Sequence, residues 1–392
     1  MIKNTVFILA FLLIPICTFG QVNIDAKSFL IEGENGQILY KKNLYQKLPM
    51  ASTTKIMTCL LALENADIKD EVIVSKEALK TPYEHIKYKA GDKIILKDLC
   101  LAIMIDSSNQ GASIVCENIE IKGNKGKVSF IEEMNRKAKV LGMLNTSYKN
   151  PHGLDTPEHY STSKDLVVLA KYAMKNPEFR NICGKRNEVI SIKSPSGNIR
   201  KEKLKSTFYD FLEMKGAEGI KTGTTTKAKS CFVGVVSNKN TKLFISILGA
   251  KKTASKQAKT ALNYCFENWN YKEIVNKNKI FIADKKLDFL KSVPSKPVSI
   301  FIPKNNKDFY ETKVYFTADF PVYKGDIVGY LKTVSKDGTV LNSVKLMSLE
   351  TKLVPRHQLY FSCFILIMVI LLLISSKFSK ITLPKSKIKF IN

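Results

Sequence analysis

Three short stretches of this 392-residue chain hold residue types that could work together on an acyl group. The first is Pro49-Met50-Ala51-Ser52-Thr53-Thr54-Lys55, in which Ser52 and Lys55 are three residues apart. On a helical turn that spacing places both side chains on one face. A serine near a helix start lies among unpaired backbone N–H groups, which favour developing negative charge. A neutral lysine amine one turn away could take its proton, the activated-nucleophile arrangement with lysine as base. The second stretch is Asp106-Ser107-Ser108-Asn109 and the third is Glu218-Gly219-Ile220-Lys221-Thr222-Gly223-Thr224. They add a hydroxyl, an amide and an ammonium group.

The elements that must position these groups are readable around them. The apolar run Ile56 to Glu64 predicts a helix directly after Ser52. A helix from Lys97 or Asp98 through Ile105 and another from Gln110 to Glu117 place Ser107 and Asn109 on the turn between two apolar helices, where side chains can enter a cleft. Thr81 to Lys89 is polar and irregular and suits the border of a cleft. Lys221-Thr222-Gly223 falls on the first of three antiparallel strands, followed by Ser230 to Val236 and Lys242 to Leu248. Gly223 lets another backbone approach that strand closely. Upstream, Ser28 to Glu32 and Gln37 to Tyr40 flank Asn35-Gly36, a strong hairpin signal. Glu71 to Val74 and Asn187 to Ile192 read as strands. Ser129 to Met143, Ser163 to Met174 (capped by Ser163) and Thr253 to Trp269 read as helices, and 194–212 as a polar connection of helical or loop character. Strands at both ends with helices between them give an α+β pattern.

An isolated S-x-x-K is usually a helix cap beside a solvated lysine, and the pattern recurs at Ser161/Lys164 and Ser386/Lys389. Nothing suitable follows Ser386. Ser161/Lys164 precedes Ser196-Gly197-Asn198 and the same K-T-G, but Ser196 follows Ser194-Pro195 in a turn-rich stretch without an adjacent apolar helix. The flanking residues favour Ser52. S-x-x-K, S-D-N and K-T-G accompany one another in penicillin-binding proteins and class A β-lactamases; here the middle motif has the looser form S-x-N. With Asn150-Pro151-His152-Gly153-Leu154 added, the chain resembles the low-molecular-mass D-alanyl-D-alanine carboxypeptidases over residues 23 to 270, and more weakly to 350.

That resemblance implies a penicillin-binding/β-lactamase-like transpeptidase domain, an antiparallel sheet with a helical subdomain. It also implies removal of the terminal D-alanine from peptidoglycan stem peptides through a Ser52 acyl-enzyme, with β-lactams as covalent inhibitors. By the same resemblance Lys55 is the base, Ser107 passes a proton to the leaving amine, and Asn109 orients Lys55 and the substrate amide. Lys221 and Thr222 hold the terminal carboxylate, beside Gly223. The backbone N–H groups of Ser52 and Thr224 form the oxyanion hole. Gln110, where the family often has an acidic residue, and Lys229, where glycine is frequent, depart from its pattern without removing any of these groups. A β-lactamase or a DD-endopeptidase would use the same site, and a non-catalytic wall-binding protein on the same fold is the alternative from another class. The class A glutamate motif is not convincingly present.

The two ends bound the setting. Residues 1–20 read as a signal peptide, with Lys3, the apolar Val6 to Ile16, and small residues before Gln21. Residues 21–270 form the expected catalytic domain. Residues 271–354, with short β-rich runs such as Val298 to Ile302 and Ile327 to Leu331 between turns, form an expected small all-β domain that carries no nucleophile constellation. Residues 358–376 read as a C-terminal membrane helix; its Tyr360 to Ser376 portion is about 17 residues long, at the lower limit for a span. The basic tail 377–392 is then cytoplasmic and the catalytic domain lies on the outer, wall side of a bacterial cell membrane.

The formal net charge of +27 comes from lysines spread along the chain. With no nucleic-acid-binding motif beside it, the charge reads as compositional bias that also favours an anionic wall or membrane, and no nucleic-acid partner is expected. Of eight cysteines, Cys59, Cys100, Cys116, Cys183, Cys231 and Cys265 remain outside the signal and the anchor. None forms C-x-x-C, and buried thiols are the preferred reading, with pairing left open. His85, His152, His159 and His357 offer no ligand spacing, so neither metal nor cofactor is expected; His152, on a Pro-Gly loop, is read as structural rather than as a base.

Overall fold

The computed structural model describes residues 22–378 except 120, 124, 125, 239, 240, 307 and 355. The expected signal peptide, the Ser386/Lys389 pair and the tail beyond 378 lie outside the described residues. The chain divides into two units: one holds the chain to Glu34 together with Ile38–Asn268, the other Asn35–Gln37 and Trp269 onward.

In chain order the first unit contains β1 (Ser28–Gly33), β2 (Ile38–Lys42), α1 (Lys55–Asn65), β3 (Glu71–Ile73), β4 (Lys93–Ile95), α2 (Leu96–Leu101), α3 (Asn109–Asn118), β5 (Ile121–Gly123), β6 (Gly126–Val128), α4 (Phe130–Val140), α5 (Ser163–Ala173), α6 (Pro177–Cys183), β7 (Asn187–Lys193), β8 (Ile199–Lys205), α7 (Tyr209–Leu212), β9 (Ala217–Thr225), β10 (Lys229–Asn238), β11 (Thr241–Ala250) and α8 (Ala254–Asn268). Its main sheet is antiparallel in the order β2-β1-β11-β10-β9, which leaves the K-T-G strand at an edge. Lys221 pairs with Val233 and Gly223 with Cys231. Consecutive residues of β10 and β11 are buried, so both faces of the sheet are covered there, and α5 and α8 both pack on these strands. A smaller sheet runs β3-β4-β7-β8.

Helix α1 is buried without interruption from Lys55 to Ala62, as an apolar run with no polar face requires. It packs against α3, α5 and α6, which makes it the axis of the helical region. Three local readings are corrected. The stretch 194–212 contains strand β8 and the short helix α7. Lys201, Lys203 and Lys205 point to solvent while Leu204 is buried, and Arg200 pairs with buried Asp92 at 2.5 Å, so the strand is stabilised by distant partners. Helix α5 is capped by Thr162, whose hydroxyl accepts the Asp165 N–H, and Ser163 is its first residue. The helix expected through Ile105 widens into a π-helical turn over Ala102–Asp106.

The second unit contains β12 (Trp269–Val275), β13 (Phe281–Ile282), β14 (Lys291–Pro294), β15 (Val298–Pro303), β16 (Tyr310–Phe316), β17 (Ile327–Ser335), β18 (Val340–Ser348) and α9 (Arg356–Phe378). A sheet in the order β13-β14-β18-β17-β16 and the pair β12-β15 enclose a core that includes Leu290, Val298, Val328, Leu331, Val344 and Leu346. Ahead of α9 the unit is all-β, as its turn-separated runs predict. Helix α9 leaves its apolar side chains from Leu359 to Ile374 exposed. Among the described residues no helix is long and apolar enough to cross a membrane. The expected span at 358–376 is therefore not met, although those residues are helical within α9: the uncharged portion 360–376, 17 residues, rises about 26 Å, short of a hydrocarbon core of roughly 30 Å.

Cys59, Cys100, Cys183, Cys231 and Cys265 are buried, Cys116 is half-buried, and all are free thiols. Burial pushes the Cys231 and Cys265 thiols up to about 12, which keeps them unreactive.

Candidate active site

The turn carrying Ser52 is a 3-10 segment, Ala51–Thr54, running directly into α1. Ala51 has a positive φ of 48°, and the turn is locked from inside by Thr53 Oγ1 donating to Met50 O (2.7 Å) and Thr54 Oγ1 donating to Ala51 O (2.8 Å). Two glycines wedge it from outside. A Cβ on Gly153 would lie 1.9 Å from Ala51 O, and one on Gly223 would lie 2.6 Å from Ser52 N. The Asn150–Asp155 loop and strand β9 thus close on the Ser52 turn from separate parts of the chain. This explains the glycine in the Asn150-Pro151-His152-Gly153 motif.

Lys55 is completely buried. Its Nζ lies 2.9 Å from Ser52 Oγ, 2.6 Å from Asn109 Oδ1 and 2.7 Å from His152 O. Burial, and then the charge of Lys221, push the Lys55 amine well below the usual lysine range, with Glu84 opposing. A neutral amine has two N–H bonds and one lone pair. Asn109 Oδ1 and the His152 carbonyl can only accept, so they take the two N–H bonds. The lone pair is left facing the Ser52 hydroxyl, which is the orientation a base needs.

The His152 imidazole plays no such part. Its Nδ1 accepts the Leu154 N–H at 3.2 Å, and burial, with Lys55 nearby, lowers it to about 3. His159, also neutral and lowered to about 4 by burial, accepts the Lys149 N–H on Nδ1 (3.0 Å). Its Nε2 therefore carries the proton and donates to Thr54 Oγ1 (2.8 Å).

Ser107 ends the π-helical turn in a left-handed conformation, φ 66°. Asn109 is the first residue of α3, and Ser108 is its N-cap, accepting the Gly111 N–H. The structure joins Asn109 to Lys55 directly and places Ser107, half-buried, two residues before it. On β9, Lys221 is wholly buried and its Nζ has no hydrogen-bond partner among the described residues. Burial lowers it to about 7, with Asp106 pulling the other way. Thr222 Oγ1 meets Thr207 Oγ1 at 2.5 Å. Thr224 is exposed on the same strand, and the following turn is held by Asp155, which accepts from Thr225 Oγ1 (2.7 Å) and Lys227 N (3.1 Å).

The rival pair is dispersed. Lys164 Nζ binds Glu32 at 2.5 Å, Ser161 Oγ meets Thr146 Oγ1, and Ser196 and Asn198 lie in the turn between β7 and β8. Sequence reasoning did not single out Glu84, Thr207, Asp155 or Gly153. Glu84 and Thr207 lie in segments without a local motif; Gly153 and Asp155 belong to the Asn150–Asp155 loop, whose motif supports the resemblance without naming a role for either residue. Among the described residues no group of three or more His, Cys, Asp or Glu could hold a metal ion.

Residues 17–252 match the protein family described as D-alanyl-D-alanine carboxypeptidase, and residues 269–352 match the C-terminal domain of penicillin-binding protein 5. The D-alanyl-D-alanine carboxypeptidase DacF of Bacillus subtilis is 30% identical over 332 residues, covering 81% of this chain and 83% of that protein. A D-alanyl-D-alanine carboxypeptidase of Streptomyces sp. K15 is 27% identical over 252 residues, 61% of this chain and 86% of its own length. Among solved structures, penicillin binding protein 5 from Haemophilus influenzae superposes with a TM-score of 0.67 at 21% identity, covering 84% of this chain and 98% of that one. The Streptomyces K15 DD-transpeptidase gives 0.58 at 26% identity, with 62% and 98% covered.

Proposed function

The chain belongs to the D-alanyl-D-alanine carboxypeptidase family, and from that premise we propose that it removes the terminal D-alanine of peptidoglycan stem peptides through an acyl-enzyme on Ser52. Ser52 Oγ attacks the carbonyl carbon of the penultimate D-alanine as its proton passes to Lys55 Nζ. The oxyanion forms beside the backbone N–H groups of Ser52 and Thr224. Ser107 delivers a proton to the amine of the departing D-alanine, and the C–N bond breaks. Water then hydrolyses the Ser52 ester, returning the hydroxyl. Asn109 fixes Lys55 and the substrate amide, and Lys221 with Thr222 receives the terminal carboxylate, whose charge suits an ammonium that has no hydrogen-bond partner among the described residues.

The observation that carries this reading is the buried amine of Lys55, 2.9 Å from Ser52 Oγ, with its two N–H bonds engaged elsewhere. Incubation with a fluorescent penicillin, followed by mass spectrometry, tests it. The expected result is an adduct on Ser52 in the wild type and none in Ser52→Ala, together with D-alanine release from a D-Ala-D-Ala peptide. A folded protein without an adduct would overturn the assignment. Products cut at a cross-link instead of a terminal D-alanine would favour a DD-endopeptidase, and fast penicillin turnover a β-lactamase.

The same proposal puts the catalytic unit on the outer side of a bacterial cell membrane, held by α9. In support stand its exposed apolar side chains, the absence of charge from residue 358 to 376 and the lysines that follow. Fractionation of cells expressing the full chain and a chain ending at residue 355 checks this: the shortened protein should leave the membrane fraction.

A further inference from the structure

Asn109 can serve Lys55 only if its amide is held one way round, with Oδ1 toward the lysine. Its Nδ2 side is fixed by two main-chain carbonyls, Pro82 O (3.1 Å) and Tyr83 O (3.0 Å). Tyr83 has a left-handed backbone, φ 58°, a conformation that persists only when its surroundings enforce it. Both carbonyls lie in an irregular segment after Lys80. Something must therefore hold that segment against the first turn of α3. Gln110 contributes, its Nε2 donating to Leu79 O (2.9 Å) and Thr81 O (3.1 Å).

Glu84 completes the attachment from the other side. Its Oε2 accepts Ser108 Oγ–H (2.8 Å) and the Gln110 N–H (2.7 Å), both at the start of α3. Its Oε1 accepts the His85 N–H (2.9 Å) and the Ile86 N–H (3.1 Å) in its own segment. One carboxylate thus joins four donors, two on each side of the junction, and its negative charge suits the free N–H groups of a helix start.

We propose that Glu84 is a positioning residue: by clamping the segment that carries Pro82 and Tyr83 onto the N-terminal turn of α3, it fixes the Asn109 amide and hence the contact of Lys55 with Ser52. The inference rests on the roles proposed above for Ser52 and Lys55.

A carboxylate here also has an electrostatic consequence. The charged groups that face Lys55 are Lys221 from β9 and Glu84 from the irregular segment; Asp106 faces Lys221, and the imidazole of His152, beside Lys55, is neutral. Glu84 is the negative member of the pair acting on Lys55. Removing its charge removes the pull that favours the ammonium, so neutral Lys55 persists to lower pH. Glutamine at 84 can accept through Oε1 on one side only, and its Nε2–H₂ would meet donors on the other.

The test is the second-order rate of Ser52 acylation by a fluorescent penicillin, measured against pH on the full chain in detergent, beside melting temperatures. Glu84→Gln is expected to lower the plateau rate at least about tenfold, as displaced catalytic groups do, and to move the acid limb down by at least about half a pH unit. Glu84→Asp, which keeps the charge one methylene short, is expected to lose rate with the acid limb unmoved; this variant carries the test if Glu84→Gln does not fold. Wild-type rates and limbs in the variants that fold would overturn the proposal. So would a rate loss that only tracks the folded fraction while the Glu84→Gln limb stays in place. Failure of the wild type itself to label at Ser52 would instead remove the functional reading on which this inference stands.

Discussion

Replacing Lys221 by methionine is expected to raise the melting temperature of the protein while removing its activity. The side chain is wholly buried and its ammonium has no hydrogen-bond partner among the described residues. Burial lowers it from 10.5 to about 7, so between those values the unfolded chain binds a proton that the folded chain does not. Stability from this residue therefore rises with pH across that window, and the penalty is fully present at pH 7 and below. At roughly 1.4 kcal/mol per pKa unit the penalty is about 5 kcal/mol as a ceiling, and partial relaxation of the site brings a working figure to about 2–3 kcal/mol. Methionine fills much of the same volume without a charge. For a unit of this size each kcal/mol is worth about 2–4 °C, so the variant should melt roughly 5–10 °C higher at pH 7. Near pH 10.5, where the wild-type lysine is neutral in the folded state and half neutral in the unfolded state, the advantage should shrink to about 1 kcal/mol or less. Comparing variant with wild type at each pH cancels the other titrations. Turnover of a peptide with a terminal carboxylate should fall about a hundredfold in kcat/KM, the scale of a lost charged hydrogen bond. A variant that melts at or below wild type at pH 7, or one whose advantage is equal at both pH values, would refute the reasoning.

Three further outcomes follow from the same geometry. Gly223→Ala places a Cβ 2.6 Å from Ser52 N and 2.9 Å from the Ala51 Cβ; the near atoms are a backbone nitrogen and the side-chain stub of the nucleophile turn, so acylation should be lost and stability reduced by about 1–3 kcal/mol, checked by penicillin labelling and thermal melts. The pH dependence of kcat/KM should be bell-shaped: it rises as Lys55 loses its proton and falls near pH 7 as Lys221 loses the charge that receives the carboxylate. Lys221→Arg, charged at all these pH values, should retain part of the activity and move the alkaline limb above about pH 9; a limb that stays near 7 would assign it to another group. His159→Leu removes the acceptor for the Lys149 N–H and the donor to Thr54 Oγ1, and should destabilise the protein by about 1–3 kcal/mol in a denaturant titration.

What was legible in the sequence is what depends on neighbours in the chain. Ser52 and Lys55 are one turn apart because three residues of helical backbone make it so. Strands β9, β10 and β11 were legible because their apolar runs are broken by short turns, and the register that follows puts Lys221 and Gly223 opposite Val233 and Cys231. Strand β8 was not: its sequence, Ile199-Arg200-Lys201-Glu202-Lys203-Leu204-Lys205, is mostly charged, and it becomes a strand through β7, the buried Leu204 and the Arg200–Asp92 pair. The π-helical turn that sets the direction of Ser107 has the same apolar composition as an ordinary helix.

The chemistry divides along the same line. Residue type could nominate Lys55, Lys164 and Lys389 alike, since S-x-x-K precedes each. What separates Lys55 from Lys164 is burial and partners drawn from four other segments: Asn109, the His152 carbonyl, Lys221 and Glu84. Lys164 is instead paired with the buried carboxylate of Glu32 at 2.5 Å, away from Ser52. In the proposed mechanism a lysine can serve as the base because the fold withholds water from it and sets a second lysine beside it. Neither condition has a local sequence signature. Both are maintained by contacts such as the Glu84 clamp and the glycine wedges, whose residues would look unremarkable in any window of the chain shorter than the distance between them.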